Sequence, residues 1–359
     1  MQRVVSVSGY FSTGSSAVVD LLHEFEETQV FDKIEFTLLK DSDGLVDLEY
    51  HLNSYRAHMQ SFVAIERFKN LMFSKHLLYP RYNKATGGKI KELTNDFLDK
   101  IIQVKWKGYA RETEYFKKDG RAKNFYKKVL RKLYRKKIYS DFLANWYWRL
   151  FSQNMSMAKF PDDFIKHAKD YINNILKEMG RDPEKITVIN QAFECRNPVS
   201  YFKYFDNPMA IIVDRDPRDQ YLFAKNFLVY TSRGYKIPID NVESFIKYYR
   251  ISRKSPEGNS ENNDVLKINF ESLVYDYENS VRKVADFIGI EKHTGKGKVL
   301  VPSMSRNNTQ LFKKYKGFED DVARIEAELP EFLFPFEKYP DIEATGGMFM
   351  GKSPLNKGK

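Results

Sequence analysis

A β-branched run, Val4-Val5-Ser6-Val7-Ser8, passes straight into Gly9-Tyr10-Phe11-Ser12-Thr13-Gly14-Ser15-Ser16. The following residues carry Val18, Val19 and Leu22 on one helical face. Strand, glycine turn and helix are therefore expected in immediate succession, with glycine taking backbone angles that a Cβ would forbid. Further strand patterns lie at about residues 30–39, 186–190, 209–214 and 265–270, and helical periodicity returns over 281–288. Strands alternating with helices predict an α/β fold: a parallel sheet flanked by helices on both faces. Residues 45–180 read differently, as a long, mainly helical insertion rich in Lys, Tyr, Phe and Trp. A single domain over residues 1–345 is expected, with 346–359 a loosely held tail and 252–263 a polar surface loop.

The loop from Gly9 to Ser16 keeps the glycine spacing of a nucleotide-binding P-loop, in which backbone N–H groups and a helix dipole hold an anion. Tyr10, Phe11, Ser12, Thr13, Gly14, Ser15 and Ser16 are its candidate ligands. Ser15 stands where a P-loop carries the lysine that meets the terminal phosphates of a nucleoside triphosphate, which counts against an ATPase or GTPase. A second anchor follows the apolar run Met209-Ala-Ile-Ile-Val-Asp214. In Arg215-Asp216-Pro217-Arg218-Asp219, Asp216 suits an N-cap, Pro217 the first helical position, and Asp219 a capping box. Arg215 and Arg218 thus lie at the carboxyl end of a strand, where ligands of open α/β sheets bind. Arg215 has the fork geometry for a phosphate; the competing reading pairs it with Asp214, Asp216 or Asp219 on the surface.

The glycine loop and the Arg-Asp-Pro-Arg-Asp segment, in this order, resemble sulfotransferases that use 3′-phosphoadenosine 5′-phosphosulfate (PAPS). Ile268–Ile290 is similar to the family's strand, Glu-x-Leu and helix segment. Ser305–Tyr315 is similar to a late basic loop of bacterial members, and Glu35–Glu49 to another bacterial stretch. The resemblance covers roughly residues 3–50 and 186–335. It implies the sulfotransferase fold, a first loop holding the 5′-phosphosulfate, Arg215 holding the 3′-phosphate, and Arg306 and Asn307 closing over the nucleotide. PAPS would be the co-substrate, 3′,5′-adenosine bisphosphate (PAP) the product, and no metal would be required. Two positions depart from the family. Ser12 replaces a loop Lys or Arg, so Lys40, Arg306 or Lys313 would have to meet the bridging oxygen. Phe223 stands where a phosphate-binding serine is expected, with Tyr221, Lys225 or Arg306 as substitutes.

Sulfuryl transfer needs a base for the acceptor proton. Glu35 is the first candidate, because some glycan sulfotransferases resemble it in placing a Glu after their second strand; pairing with Lys33 or Lys40 is the structural alternative. His51 and His58 are the other candidates. The acceptor is expected to be a glycan or a small molecule such as a sterol-like alcohol, met by the aromatic-rich insertion. Competing readings are a P-loop-type kinase and a non-enzymatic binder of acidic glycans.

A formal net charge of +11 points to an anionic partner. Eleven of the twenty-one residues from Lys117 to Lys137 are Lys or Arg, with Phe125, Val129, Leu130, Leu133 and Tyr134 at helical spacing. This predicts a basic amphipathic helix, suited to an acidic acceptor or an anionic membrane surface; no reader motif accompanies it, which disfavours nucleic acid. One cysteine, Cys195, and an N-terminus without signal-peptide features lead to a cytoplasmic expectation.

Overall fold

The computed structural model describes residues 3–54, 57, 59–109, 120–138, 140–228, 237–254, 262–295 and 297–347. They form two compact units, one from residues 1–37 and 181–359, the other from residues 38–180.

The first unit begins with β1 (Val4–Gly9), α1 (Ser15–Leu22) and β2 (Thr28–Phe31). β2 is shorter than the expected strand over 30–39. Ile34, Phe36, Leu38 and Leu39 are buried as expected of a strand, but the chain there turns rather than pairing. Burial of apolar side chains had imitated a strand's pattern without its ladder.

The second unit contains α2 (Leu45–Ser54), α3 (Gln60–Phe73), α4 (Tyr79–Ala85), α5 (Ile90–Ile101), β3 (Val104–Gly108), α6 (Arg121–Arg135), α7 (Asp141–Phe151), β4 (Gln153–Met157) and α8 (Phe164–Glu178). α5 buries Ile90, Thr94, Phe97, Leu98 and Ile101, and α8 buries Phe164, Ala168, Tyr171, Ile172, Ile175 and Leu176, each a stripe at three- and four-residue spacing. The stripes meet where Phe97 stacks on Tyr171 at 4.9 Å. β3 and β4 add an antiparallel ribbon to an otherwise helical unit.

The chain returns to the first unit through β5 (Ile186–Asn190), β6 (Pro208–Asp214), α9 (Pro217–Phe223), α10 (Val242–Arg253), β7 (Val265–Asn269), α11 (Phe270–Tyr275), α12 (Tyr277–Ile288), α13 (Pro302–Ser305), α14 (Leu311–Lys314) and α15 (Glu319–Glu328). Its sheet has the order β2-β5-β1-β6-β7, and every pairing is parallel. Val5, Val7, Val188, Ile211 and Val213 are buried with Val18, Leu21 and Leu22 of α1 and with α11 and α12 in one core. A second core joins α9, α10 and α15 through Tyr221, Leu222, Phe245, Tyr249, Ile325 and Leu329. β1 is central, and Gly9 pairs with Val213 of β6. That register brings Arg215, two residues past Val213, level with the loop that leaves β1.

Candidate anion-binding site

The loop after β1 is held in an unusual conformation by its own sequence. Phe11, Ser12 and Gly14 have φ of 74°, 58° and 80°, all left-handed. A Cβ on Gly9 would lie 2.4 Å from Thr13 Oγ1, and one on Gly14 would lie 2.6 Å from the Phe270 ring, so neither site admits a larger residue undisturbed. The buried Thr13 donates its hydroxyl to the Val213 carbonyl at 2.7 Å, pinning the loop's floor to β6. Its carbonyls are tied down as well: Arg215 Nη1 donates to Ser12 O at 3.0 Å, and Gln220 Nε2 donates to Phe11 O. With those oxygens held inward, the backbone N–H groups of Ser12, Thr13, Gly14, Ser15 and Ser16 donate to no protein acceptor among the described residues. Successive free N–H groups at the start of an eight-residue helix are an arrangement that can cradle an anion.

Arg215 lies beneath this cradle, 4% exposed, between the rings of Phe223 at 4.9 Å and Phe270 at 5.4 Å. Its Nη2 donates to Asn308 O, so one guanidinium joins the first loop to the late one. The Nε has no hydrogen-bond partner among the described residues. Of the two expected readings, a fork for a phosphate or a surface ion pair, the second does not hold: Arg215 is buried under the loop and bonded to neutral carbonyls, with the carboxyl groups of Asp216, Asp219 and Glu271 acting on its charge. Burial draws its pKa down, opposed by Asp219, Glu271 and Asp216.

Asp219 and Glu271 are fully buried beside it. Asp219 accepts from the backbone N–H groups of Gln310 at 2.7 Å and Leu311 at 2.6 Å, fastening the late loop to α9. Burial first, and then the charge of Asp216, push Asp219 up to about 7 against the pull of Arg215 and the two N–H donors. Burial likewise raises Glu271, which accepts from Asp216 N–H at 3.0 Å through one oxygen and has no hydrogen-bond partner for the other among the described residues. A carboxyl with a raised pKa binds a proton in the folded chain that the unfolded chain has released. Stability therefore falls as pH rises from Asp219's ordinary 3.8 through about 7. Thermal melts across that window should slope downward more steeply in the wild type than in Asp219→Asn; equal slopes would remove Asp219 from the account.

Arg218 is committed elsewhere. Its Nε and Nη2 donate to Asp216 at 3.0 and 2.7 Å, its Nη1 to Glu326 at 2.7 Å, and its guanidinium lies 4.0 Å from the Phe312 ring centre. Asp216 also caps α9 by accepting from Arg218 N–H, as its N-cap signature foretold, and accepts from Phe334 N–H as well; the capping box expected of Asp219 does not form, because Asp216 N–H donates to Glu271. Arg306 pairs through Nε and Nη2 with Asp341, whose side chain is 74% exposed, and Asn307 donates to Met304 O and Thr345 O.

Two residues near the loop were missed. Arg253 closes α10, where the sequence had suggested the start of a loop. It bonds Asp214 at 2.6 Å and Gln220 at 3.0 Å and packs on Tyr249 at 3.5 Å and Tyr10 at 4.4 Å. Its signal was present as the continuation, four residues on, of the buried stripe Phe245, Ile246, Tyr249. Gln191, with φ of 63°, follows β5 and donates to Ser15 Oγ at 3.0 Å; a glutamine after a strand gives no such hint.

Glu35 is exposed just after β2, and the next residue donates its N–H to Asn190 O at 2.7 Å, so Glu35 stands at the carboxyl edge of the sheet, beyond the end of β5. Two strand spacings, about 10 Å, separate β2 from β1. Lys40 belongs to the second unit, and His58 lies outside the described residues. Among the described residues no cluster of His, Cys, Asp and Glu could hold a metal, and no helix is long and apolar enough to cross a membrane.

Fold and site together define an α/β protein with a candidate anion cradle at the carboxyl edge of a parallel sheet. No family model and no curated protein sequence matches the chain. Among solved structures it is similar to the sulfotransferase domain of a Synechococcus olefin synthase, at 12% identity and TM-score 0.37, covering 88% of this chain and 82% of that one. A sulfotransferase domain from the curacin biosynthetic pathway matches at 12% identity and TM-score 0.37, covering 93% and 99%. Retinol dehydratase, solved with androsterone and the inactive cofactor PAP, matches at 10% identity and TM-score 0.32, covering 95% and 84%.

Proposed function

We propose that this chain is a sulfotransferase that moves the sulfuryl group of PAPS to a hydroxyl or amine of an acceptor, a carbohydrate before a sterol-like alcohol. The observation that carries this reading is the cradle whose carbonyls are tied inward and whose N–H groups are free, with Ser15 in place of the triphosphate-binding lysine. Such a loop can neutralise a phosphosulfate through backbone donors alone, without the lysine and magnesium that a triphosphate calls for.

In this reading residues Tyr10 to Ser16 hold the 5′-phosphosulfate. Arg215 supplies positive charge from beneath, and Arg306 serves the 3′-phosphate by exchanging its exposed Asp341 partner for the ligand. Arg218 braces the helix that follows Arg215, and Asn307 shapes the late loop. The acceptor oxygen attacks sulfur while the bond from sulfur to the bridging oxygen breaks; PAP departs with the electron pair, and the acceptor's proton passes to a base. Glu35 is the proposed base and His58 the alternative, with Lys40 or Lys313 proposed to meet the leaving oxygen. A reducing cytoplasm suits the lone, buried Cys195.

Radiolabelled PAPS offered with a panel of carbohydrate and sterol acceptors tests the activity. Glu35→Gln is expected to cut turnover about a hundredfold or more while leaving the dissociation constant for PAP unchanged. Undiminished turnover would assign the proton to another group.

A further inference from the structure

The basic stretch is not absorbed by nucleotide chemistry. Residues 120–151 hold ten Lys or Arg and a single Asp, so this short segment carries most of the chain's excess charge. α6 and α7 pack against each other around Leu130 and Phe151: Lys127 Nζ and the Arg131 guanidinium lie over the Phe151 ring at 4.8 and 5.1 Å, and Tyr147 stacks on Phe151 at 4.2 Å. Among what this packing leaves outside is an apolar ridge. Phe125 meets Tyr126 at 6.0 Å, Tyr126 meets Trp146 at 6.0 Å, and Trp146 meets Phe142 at 5.9 Å, forming one run of four rings across both helices. These rings are 63%, 48%, 40% and 66% exposed, and Val129, one turn from Phe125, extends the ridge. Lys128 and Lys132, each three residues after a ridge residue, are exposed along its border.

We propose that this helical hairpin seats the protein on an anionic lipid surface, rings in the headgroup boundary and lysines on the lipid phosphates. A ridge of aromatic and aliphatic side chains bordered by cations fits the interface of a bilayer, where apolar burial and charge act together. A second copy of the chain is a poorer fit, because a two-fold contact would set the same cations against each other. The four exposed rings beside lysines could also stack bases, so a soluble polyanion is an outcome of the test below.

All three tryptophans of the chain, Trp106, Trp146 and Trp148, lie in this unit and are exposed, so intrinsic fluorescence reports on it. Full-length protein should sediment with vesicles of mixed phosphatidylglycerol and phosphatidylcholine, shift its tryptophan emission to the blue, and be quenched by brominated lipid. Phosphatidylcholine alone should do none of this. Lys128→Glu with Lys132→Glu should weaken partitioning by about thirtyfold or more, as expected for two lysines near an anionic surface. Phe125→Ser with Phe142→Ser should weaken it about tenfold while leaving the melting temperature in place, because both rings are exposed. Equal binding to heparin or RNA with no blue shift on vesicles would overturn the proposal in favour of a soluble polyanion. A concentration-dependent blue shift without lipid would overturn it in favour of self-association.

Discussion

Arg215→Ala should lower the affinity for PAP by about a hundredfold or more, read by calorimetry. The loss has two sources. The variant deletes the buried charge beneath the cradle, and it releases the Ser12 and Asn308 carbonyls that a single guanidinium holds together. It also leaves Asp219 and Glu271 buried without the cation that favours their ionised forms, so their pKa values should climb further. Arg215→Lys separates the two sources. It keeps a charge but cannot span two carbonyls with a planar fork, so it should fold and bind with intermediate affinity. If Arg215→Ala folds and binds PAP as the wild type does, Arg215 has no part in the site; if Arg215→Lys does so, the charge alone suffices.

Gly14→Ala should be nearly as damaging, for a different reason. At φ of 80° an alanine bears the left-handed penalty, about 1–2 kcal/mol. Its methyl would also stand 2.6 Å from the Phe270 ring, an overpacking cost of about 1–3 kcal/mol. Together these should lower the melting temperature by several degrees and weaken PAP binding at least about tenfold, because the N–H groups that follow Gly14 would move with it. Adding Phe270→Leu should recover the packing share and leave the backbone share. A Gly14→Ala protein that melts and binds like the wild type would mean that the loop does not adopt this conformation.

Both sites were visible in the sequence to different depths. The glycine turn was legible because strand, turn and helix each carry a local signal that tertiary contacts do not need to supply. The start of α9 was legible for the same reason: Asp216 caps and Pro217 begins the helix as their chemistry requires. The orientation of Arg215 was not legible. Its position follows from the register of β6 on β1 and from the rings of Phe223 and Phe270, and these are distant in sequence. Phe223, read as a departure from a phosphate-binding serine, is one wall of that guanidinium's slot. β2 was overextended because buried turn residues repeat the apolar pattern of a strand, and the β3–β4 ribbon was overlooked because its short alternations, Val104 and Trp106 between lysines and Met155 and Met157 about a serine, lie inside a segment dominated by helical periodicity. Arg253 was set aside with a breaker-rich segment although the helical stripe runs on to reach it. Local chemistry marked where each element begins; contacts between elements decided what the charged side chains face.

The most direct test of the account is a calorimetric titration of the full-length protein with PAP, set beside one with ATP and magnesium. The cradle of backbone donors over a buried arginine predicts saturable binding of PAP without metal and weaker or no binding of Mg-ATP. Silence with PAP, or a preference for Mg-ATP, would contradict it.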